Sequence, residues 1–268
     1  MKILAIYKKT VYELFHEFQD SSLNEYYKTH YDEIQKTHNI QIETRKQIIK
    51  LLDKNNIMYT LVYRGELNKL PKKEFDVDYV IAIGGDGTVL EVSHYLDNVP
   101  LLGINPNTNS SIGHYCKGNS KNMGKLIGAL DKQKIETIRR LVIKINGKEI
   151  KEPAMNDVLF AHPCPAATSK YKLNHKMFKD SGLLASTPTG STGWISHEGG
   201  EFTDSNFDKI QYVHRSNKSE NTKFTDKLTL KSFTRSGKIY IDGPHLSYKL
   251  GLEDRLDLEL GKPLKIII

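Results

Sequence analysis

The run Ile81-Ala82-Ile83-Gly84-Gly85-Asp86-Gly87-Thr88-Val89-Leu90 constrains this chain more than any other stretch, because an apolar strand stops abruptly in three glycines wrapped around one carboxylate. Asp78 to Ile83 has the β-branched, apolar character of a strand buried on both faces. Val89, Val92 and Leu96 then recur at the helical period, so a strand-to-helix turn is expected at Gly84 to Thr88. Backbone N–H groups approach an anion closely only where no Cβ intervenes, and a helix N-terminus favours negative charge, so phosphate is the natural guest. Asp86 is the anomaly: a carboxylate in an anion cradle is repelled unless it takes a proton or holds a cation. A catalytic base or a Mg²⁺-organising role follows. The alternative is a plain turn, since Gly and Asp also dominate turns for local reasons.

The flanking pattern places this loop on an α/β sheet. After a first strand at Met1 to Tyr7, the segment 11–34 carries Leu14, Phe15, Phe18, Leu23, Tyr26, Tyr27 and Tyr31 at roughly helical spacing. Glu43 to Asn55 repeats the helical pattern, and Ile57 to Tyr63 and Pro100 to Asn105 read as strands. Such alternation implies parallel strands, with ligands bound at their carboxyl ends. Asn119 to Gln133 reads as the closing helix. From Glu136 the helical periods largely disappear: Leu141 to Ile145 runs into an Asn146-Gly147 hairpin turn, and short strands recur to Asp242. The expected fold is therefore a Rossmann-like α/β domain, residues 1–135, followed by a β-sandwich-like domain, residues 136–253. The apolar C-terminal run 264–268 suits a strand buried on both faces, so 254–268 is expected to return to the first domain. The polar stretch 215–226 is expected to be a mobile loop.

Composition excludes several classes. With 268 residues, 38% hydrophobic and 26% charged, the chain is globular, and no apolar stretch reaches the ~20 residues of a spanning helix. Cys116 and Cys164 lack metal-type spacing, so both are read as reduced and no metal ligand set is assigned. The net charge of +7 comes from scattered lysines such as Lys8-Lys9, a solvated surface rather than a nucleic-acid face. The N-terminus enters a strand at once without a leader pattern, which makes the cytoplasm the expected compartment.

Two further signals follow the glycine loop. Asn156-Asp157 sets an amide and a carboxylate at the start of the apolar strand Val158 to Ala161, where the pair can grip ribose hydroxyls or form an ordinary turn. Ser186-Thr187-Pro188-Thr189-Gly190-Ser191-Thr192-Gly193-Trp194 offers five hydroxyls in seven residues, enough to present O–H and N–H groups to phosphate or ribose.

The loop Gly84 to Thr88 has neither the G-x-G-x-x-G nor the Walker spacing; it resembles the GGDGT signature of NAD kinases and diacylglycerol-type lipid kinases, with a close variant in phosphofructokinases. In order and spacing, this loop, Asn156-Asp157 and 186–192 together resemble the three signature motifs of the ATP-NAD kinase family. The stretches Ala161-His162-Pro163, Ser181-Gly182-Leu183 and Ile239 to Gly243 are similar to the plant-type NADH kinase branch. The resemblance covers about residue 77 to the C-terminus and leaves the N-terminal helices unassigned.

The resemblance implies phosphoryl transfer from ATP, with Mg²⁺ or another divalent cation, to the 2′-hydroxyl of the adenosine ribose of NAD or NADH. It implies that Asp86 deprotonates or orients that hydroxyl, with Gly84, Gly85, Gly87 and Thr88 beside the phosphates. Asn156, Asp157, His114, Tyr115, Thr189, Thr192, Gly193 and Trp194 fall on the dinucleotide side. Three positions depart from the family pattern: Asp180-Ser181-Gly182 replaces Gly-Asp-Gly, leaving Asp180 as the substitute for the missing carboxylate beside Ser181; Trp194 replaces a tyrosine; His114 replaces a phenylalanine. The family further implies a homodimer or homotetramer. A catalytically impaired dinucleotide-binding protein and a lipid kinase are the alternatives, and the serine-rich loop with Asn156-Asp157 disfavours the latter.

Overall fold

Four apolar runs, Lys2–Tyr7 (β1), Met58–Tyr63 (β2), Tyr79–Ile83 (β3) and Leu101–Asn105 (β4), pair in parallel in the order β4-β3-β1-β2. This is seen in a computed structural model that describes residues 1–18, 24–109, 112–216 and 222–268. Part of the expected helical segment, 19–23, and part of the expected mobile loop, 217–221, lie outside the described residues. β1, β3 and β4 are buried almost throughout, as parallel strands covered on both faces must be. The helices of this part are Val11–Phe18 (α1), Asn24–Thr29 (α2), Tyr31–Lys54 (α3), Asp86–Ser93 (α4) and Met123–Gly128 (α5). Ile48 and Leu52 of α3 and Met123 and Ile127 of α5 share one core with Ile3, Ile81 and Leu102 of the sheet.

Two helices differ from expectation for identifiable reasons. α3 begins at Tyr31, twelve residues before Glu43, because its inward face runs Ile34, Thr37, Gln41, Thr44, Ile48, Leu52, and the polar members hide the apolar period. The expected helix 119–133 shrinks to α5 and a 3-10 turn at Leu130–Lys132. Its start is diverted into a side-chain turn, with Asn119 Oδ1 accepting from Lys121 N and Asn122 Oδ1 accepting from Asn119 N. Gly118–Asn119 (β5) pairs instead with β4.

The chain divides into two units, Met1–Glu136 with Lys265–Ile268, and Thr137–Leu264. Strand Ile135–Ile145 (β6) leads into the second and turns at Asn146-Gly147, with φ of 52° and 79°, onto Lys148–Glu149 (β7). There follow Asp157–Ala161 (β8), Ser169–Leu173 (β9), Lys176–Asp180 (β10), Leu183–Ser186 (β11), Trp194–His197 (α6), Ile210–His214 (β12), Lys223–Thr225 (β13), Lys227–Ser232 (β14), Lys238–Ile241 (β15), Leu246–Lys249 (β16) and Arg255–Ile267 (β17). One antiparallel sheet has the order β13-β12-β11-β8-β15-β16; in the other, β10, β9, β14 and β17 are neighbours. Val158, Phe160, Leu183 and Ile239 of the first face Tyr171, Leu230 and Leu256 of the second in one core, the sandwich-like arrangement expected. The β9-β10 hairpin escapes a glycine-based reading, because its turn residues are Asn174 and His175, both at positive φ.

Within the second unit, Arg255 to Glu259 of β17 pair with β14; in the first, Ile266 pairs with Leu101 of β4 and Ile267 is fully buried. Ile267→Ala is therefore expected to lower stability by about 2–5 kcal/mol, the range for truncating a core aliphatic residue. Urea denaturation reads this directly, and a loss below about 1 kcal/mol would show that the terminal strand contributes little to that core.

Candidate functional site

At the end of β3, Gly84 donates its N–H to Ile104 O at 2.9 Å, and a Cβ there would lie 2.3 Å from Thr88 Oγ1, so only glycine fits. Gly87 is exposed, and its missing Cβ points into open space. Thr88 Oγ1 is buried without a hydrogen-bond partner in the described residues. Asp86 opens α4, and its two carboxylate oxygens each accept a backbone N–H, from His114 at 2.8 Å and from Tyr115 at 2.7 Å. Those donors come from a turn that needs Gly113 at φ +67°. The anomaly of a carboxylate in an anion cradle is thus resolved by charge-assisted bonds that fix its position. Cys116 lies alongside, its Sγ donating to Gly84 O at 3.3 Å. Burial, and secondarily the Asp86 charge, push that thiol up to about 12, so it stays protonated and is no nucleophile.

The loop opens onto a cavity of about 520 Å³ whose walls also include Lys8, Arg64, Asn105 and residues of α1, α2 and α3. Gly84, Gly85, Asp86, Gly87 and Thr88 all line it, and His114 and Tyr115 reach the same carboxylate through their backbone.

In the second unit the start of β8 is organised by Asp242, which lies in the stretch Ile239 to Gly243 but carried no expected role. Its carboxylate accepts the N–H groups of Met155 (2.7 Å), Asn156 (2.7 Å) and Asp157 (2.9 Å). An Asp-Gly pair closing a strand, with Asp242 at φ +50°, was the available signal. Asn156 O accepts the N–H of Thr187, and a Cβ on Gly190 would lie 2.4 Å from it, so the serine-rich loop is pressed onto Asn156. Thr189 and Thr192 bound the 3-10 turn of that loop, and Gly193 lies beside the Asn156 amide, 3.3 Å from its Nδ2 to an ideal Cβ.

Asp157 is 5% exposed, and no donor among the described residues meets its carboxyl group. Burial first, and the Asp242 charge second, raise it from 3.8 to about 7. The ordinary turn role belongs to Asp242 rather than to Asp157, whose side chain caps nothing.

The remaining sequence candidates separate. Asp180 is turned into the core: it accepts from Gly182 N and from Tyr171 Oη, both at 2.8 Å, and Tyr171 Oη is 2.6 Å from His214 Nδ1. Ser181 and Trp194 line a different cavity, of about 380 Å³, with Arg215, Tyr240 and His162. The Arg215 guanidinium sits 4.9 Å over the Trp194 ring. Among the described residues no three His, Cys, Asp or Glu side chains cluster as metal ligands, and no helix is long and apolar enough to cross a membrane.

Residues 5–135 match the family model described as the ATP-NAD kinase N-terminal domain. Over 267 residues the chain is 28% identical to a probable NADH kinase of Oryza sativa subsp. japonica, covering 84% of this chain and 81% of that protein. It is 32% identical over 159 residues to an NAD kinase of Pyrococcus furiosus, covering 56% of each. Its fold resembles the crystal structure of an NAD kinase from Archaeoglobus fulgidus in complex with ATP, with a TM-score of 0.72 over all of this chain and 94% of the other, at 16% identity.

The raised Asp157 carboxyl has a measurable consequence. Between roughly pH 4 and pH 7 the folded chain holds a proton that the unfolded chain has released, so this residue makes stability fall as pH rises, levelling off above pH 7. Asp157→Asn is expected to flatten that dependence. Melting temperatures from pH 4.5 to 8 test it, and parallel curves for the two proteins would show that Asp157 titrates as an ordinary carboxylate.

Proposed function

We propose that the chain is a member of the ATP-NAD kinase family, to whose N-terminal domain model residues 5–135 match, and that it transfers the γ-phosphoryl group of ATP to the 2′-hydroxyl of the adenosine ribose of NAD or NADH. The observation that carries this reading is the Asp86 carboxylate, held by two backbone N–H groups inside a glycine loop open at Gly87. In the proposed step the 2′-oxygen forms a bond to the γ-phosphorus as the bond to the β,γ-bridging oxygen breaks. The hydroxyl proton passes to Asp86, and ADP leaves. Positioning and charge neutralisation are most of what such a transfer requires. Gly84, Gly85, Gly87 and Thr88 are assigned to the phosphates, and the unpartnered Thr88 Oγ1 supports that assignment. Asn156 and Asp157 are assigned to the dinucleotide, with Thr189, Thr192, Gly193, Trp194, His114 and Tyr115. Asp157, lacking donors among the described residues, suits a ligand that brings hydroxyl donors.

The residues present fit a divalent cation carried in with the nucleotide. Asp86 offers hard oxygens, each holding only one N–H, and with no further clustered acid among the described residues the other ligands would be phosphate oxygens and water. When bound, the ion neutralises phosphate charge. Two free cysteines accord with a reducing, cytoplasmic compartment.

Mixing the protein with Mg²⁺-ATP and either NAD or NADH, and measuring NADP or NADPH, tests the reading; phosphorylation of a diacylglycerol instead would transfer it to lipid kinases. Asp86→Asn is expected to lower kcat by roughly 10²- to 10⁴-fold, the usual range for a lost general base, while dinucleotide binding and circular dichroism persist. A near wild-type rate would remove Asp86 from the chemistry.

Self-association as a homodimer or homotetramer is supported by exposed aromatic surface on the second unit: Phe202 is 77% exposed, and Phe207 and Phe224 pack edge to face beside solvent. Light scattering should give a multiple of the 30.6 kDa chain. Replacing Phe202 and Phe224 by Glu should shift it toward the monomer, whereas an unchanged mass would place the contact elsewhere.

A further inference from the structure

The cavity beside the glycine loop has two chemically different ends. At one end Lys8, at the carboxyl side of β1, faces the loop with Arg64 near it. Arg64 is paired with Glu91 at 3.3 Å, and the neighbouring Lys9 is paired with Glu17 and lies 4.5 Å over the Tyr63 ring. Lys8 has no carboxylate partner among the described residues. Desolvation by the surrounding walls, and then the Arg64 charge, hold its ammonium below the ordinary 10.5. An anion relieves both penalties, and the open Gly87 and the orphaned Thr88 hydroxyl face the same cavity.

The other end is built by the N-terminal helices. Ile34, Thr37 and Gln41 stand at i, i+3 and i+7 on one face of α3, and Leu14 of α1 and Tyr26 of α2 complete the wall. Gln41 is half-buried, and its amide makes no hydrogen bond among the described residues. An apolar wall with one free amide, both donor and acceptor, suits the edge of a heterocyclic base. It does not suit a continuing chain of phosphates, which would meet Glu33 there and no further cation.

We propose that α1–α3 form the base end of the donor site, with Gln41 reading the edge of the base and Lys8 the cation that meets the phosphates, so that Lys8 contributes to any polyphosphate chain and Gln41 only to a nucleotide. This rests on the kinase reading and gives the N-terminal helices a role in it. The dimensions agree, since about 520 Å³ lies within the range of small-ligand sites.

Calorimetric binding of Mg²⁺-ATP and of inorganic tripolyphosphate to the full chain tests this without turnover. Lys8→Met is expected to weaken both ligands about 10- to 100-fold, as loss of a charge-assisted bond does, and Lys8→Arg should restore most of the affinity. Gln41→Leu is expected to weaken ATP about 2- to 12-fold and leave tripolyphosphate unchanged. The Michaelis constants for NAD and NADH should not move in either. Wild-type affinity for ATP in Lys8→Met, or equal losses of both ligands in Gln41→Leu, would overturn the assignment. Wild-type protein that binds ATP as described but phosphorylates neither dinucleotide would overturn the kinase reading and leave the donor site standing.

Discussion

Two backbone N–H groups, of His114 and Tyr115, decide where the Asp86 carboxylate stands, and much of the first unit serves to deliver them. The turn that carries them is pressed against β4: a Cβ on Gly103 would lie 2.7 Å from Tyr115 O, and one on Gly113 would lie 2.7 Å from Asn105 Nδ2. Glycine is needed at both places for the turn to come close enough. Each charge-assisted bond contributes about 1.5–3 kcal/mol, comparable to the cost of leaving such a group unsatisfied, so the pair holds a half-buried negative charge in the glycine loop.

The second unit uses the same device for the opposite result. Asp242 collects three N–H groups from 155–157 and so fixes the start of β8, reaching across more than eighty residues. The neighbouring Asp157 has no donor for its carboxyl among the described residues, and Asp242 adds a second negative charge beside it. One carboxylate is satisfied by the chain; the other, buried next to it, is not. Burying an acid without donors costs free energy that a purely structural residue would avoid, for instance as asparagine or threonine.

The sheet and its glycine loop were legible because burial on both faces writes itself into the sequence as unbroken apolar runs, as in Tyr79–Ile83 and Leu101–Asn105. The Asn146-Gly147 hairpin was legible because positive φ selects those residues. The β9-β10 hairpin was not, since Asn174-His175 meets the same requirement without glycine. α3 was half hidden because its inner face carries Thr37, Gln41 and Thr44, polar residues that turn toward a cavity or back-bond within the helix, as Thr44 does to Ile40 O. Asp242 was invisible as a site residue because its role is to accept backbone N–H groups, which no residue type announces. Lys8 and Lys9 read alike as surface lysines; only their partners distinguish them, and partners are a property of the fold.

That last distinction extends to the site as a whole. Among the described residues most charged groups in or near the core are compensated by the chain: Asp86 by two N–H groups, Asp180 by Gly182 and Tyr171, Asp257 by Thr229 and Arg255, Arg64 by Glu91. Lys8, the Thr88 hydroxyl and Asp157 are not. Each costs free energy in the empty protein, so their presence at motif positions or beside the glycine loop points to compensation by something that binds. The chemistry of the three is complementary to different parts of the proposed reactants. A cation and a hydroxyl donor at the loop ask for phosphate oxygens, and the carboxyl group at the start of β8, an acceptor once ionised, asks for hydroxyl donors such as those of a ribose.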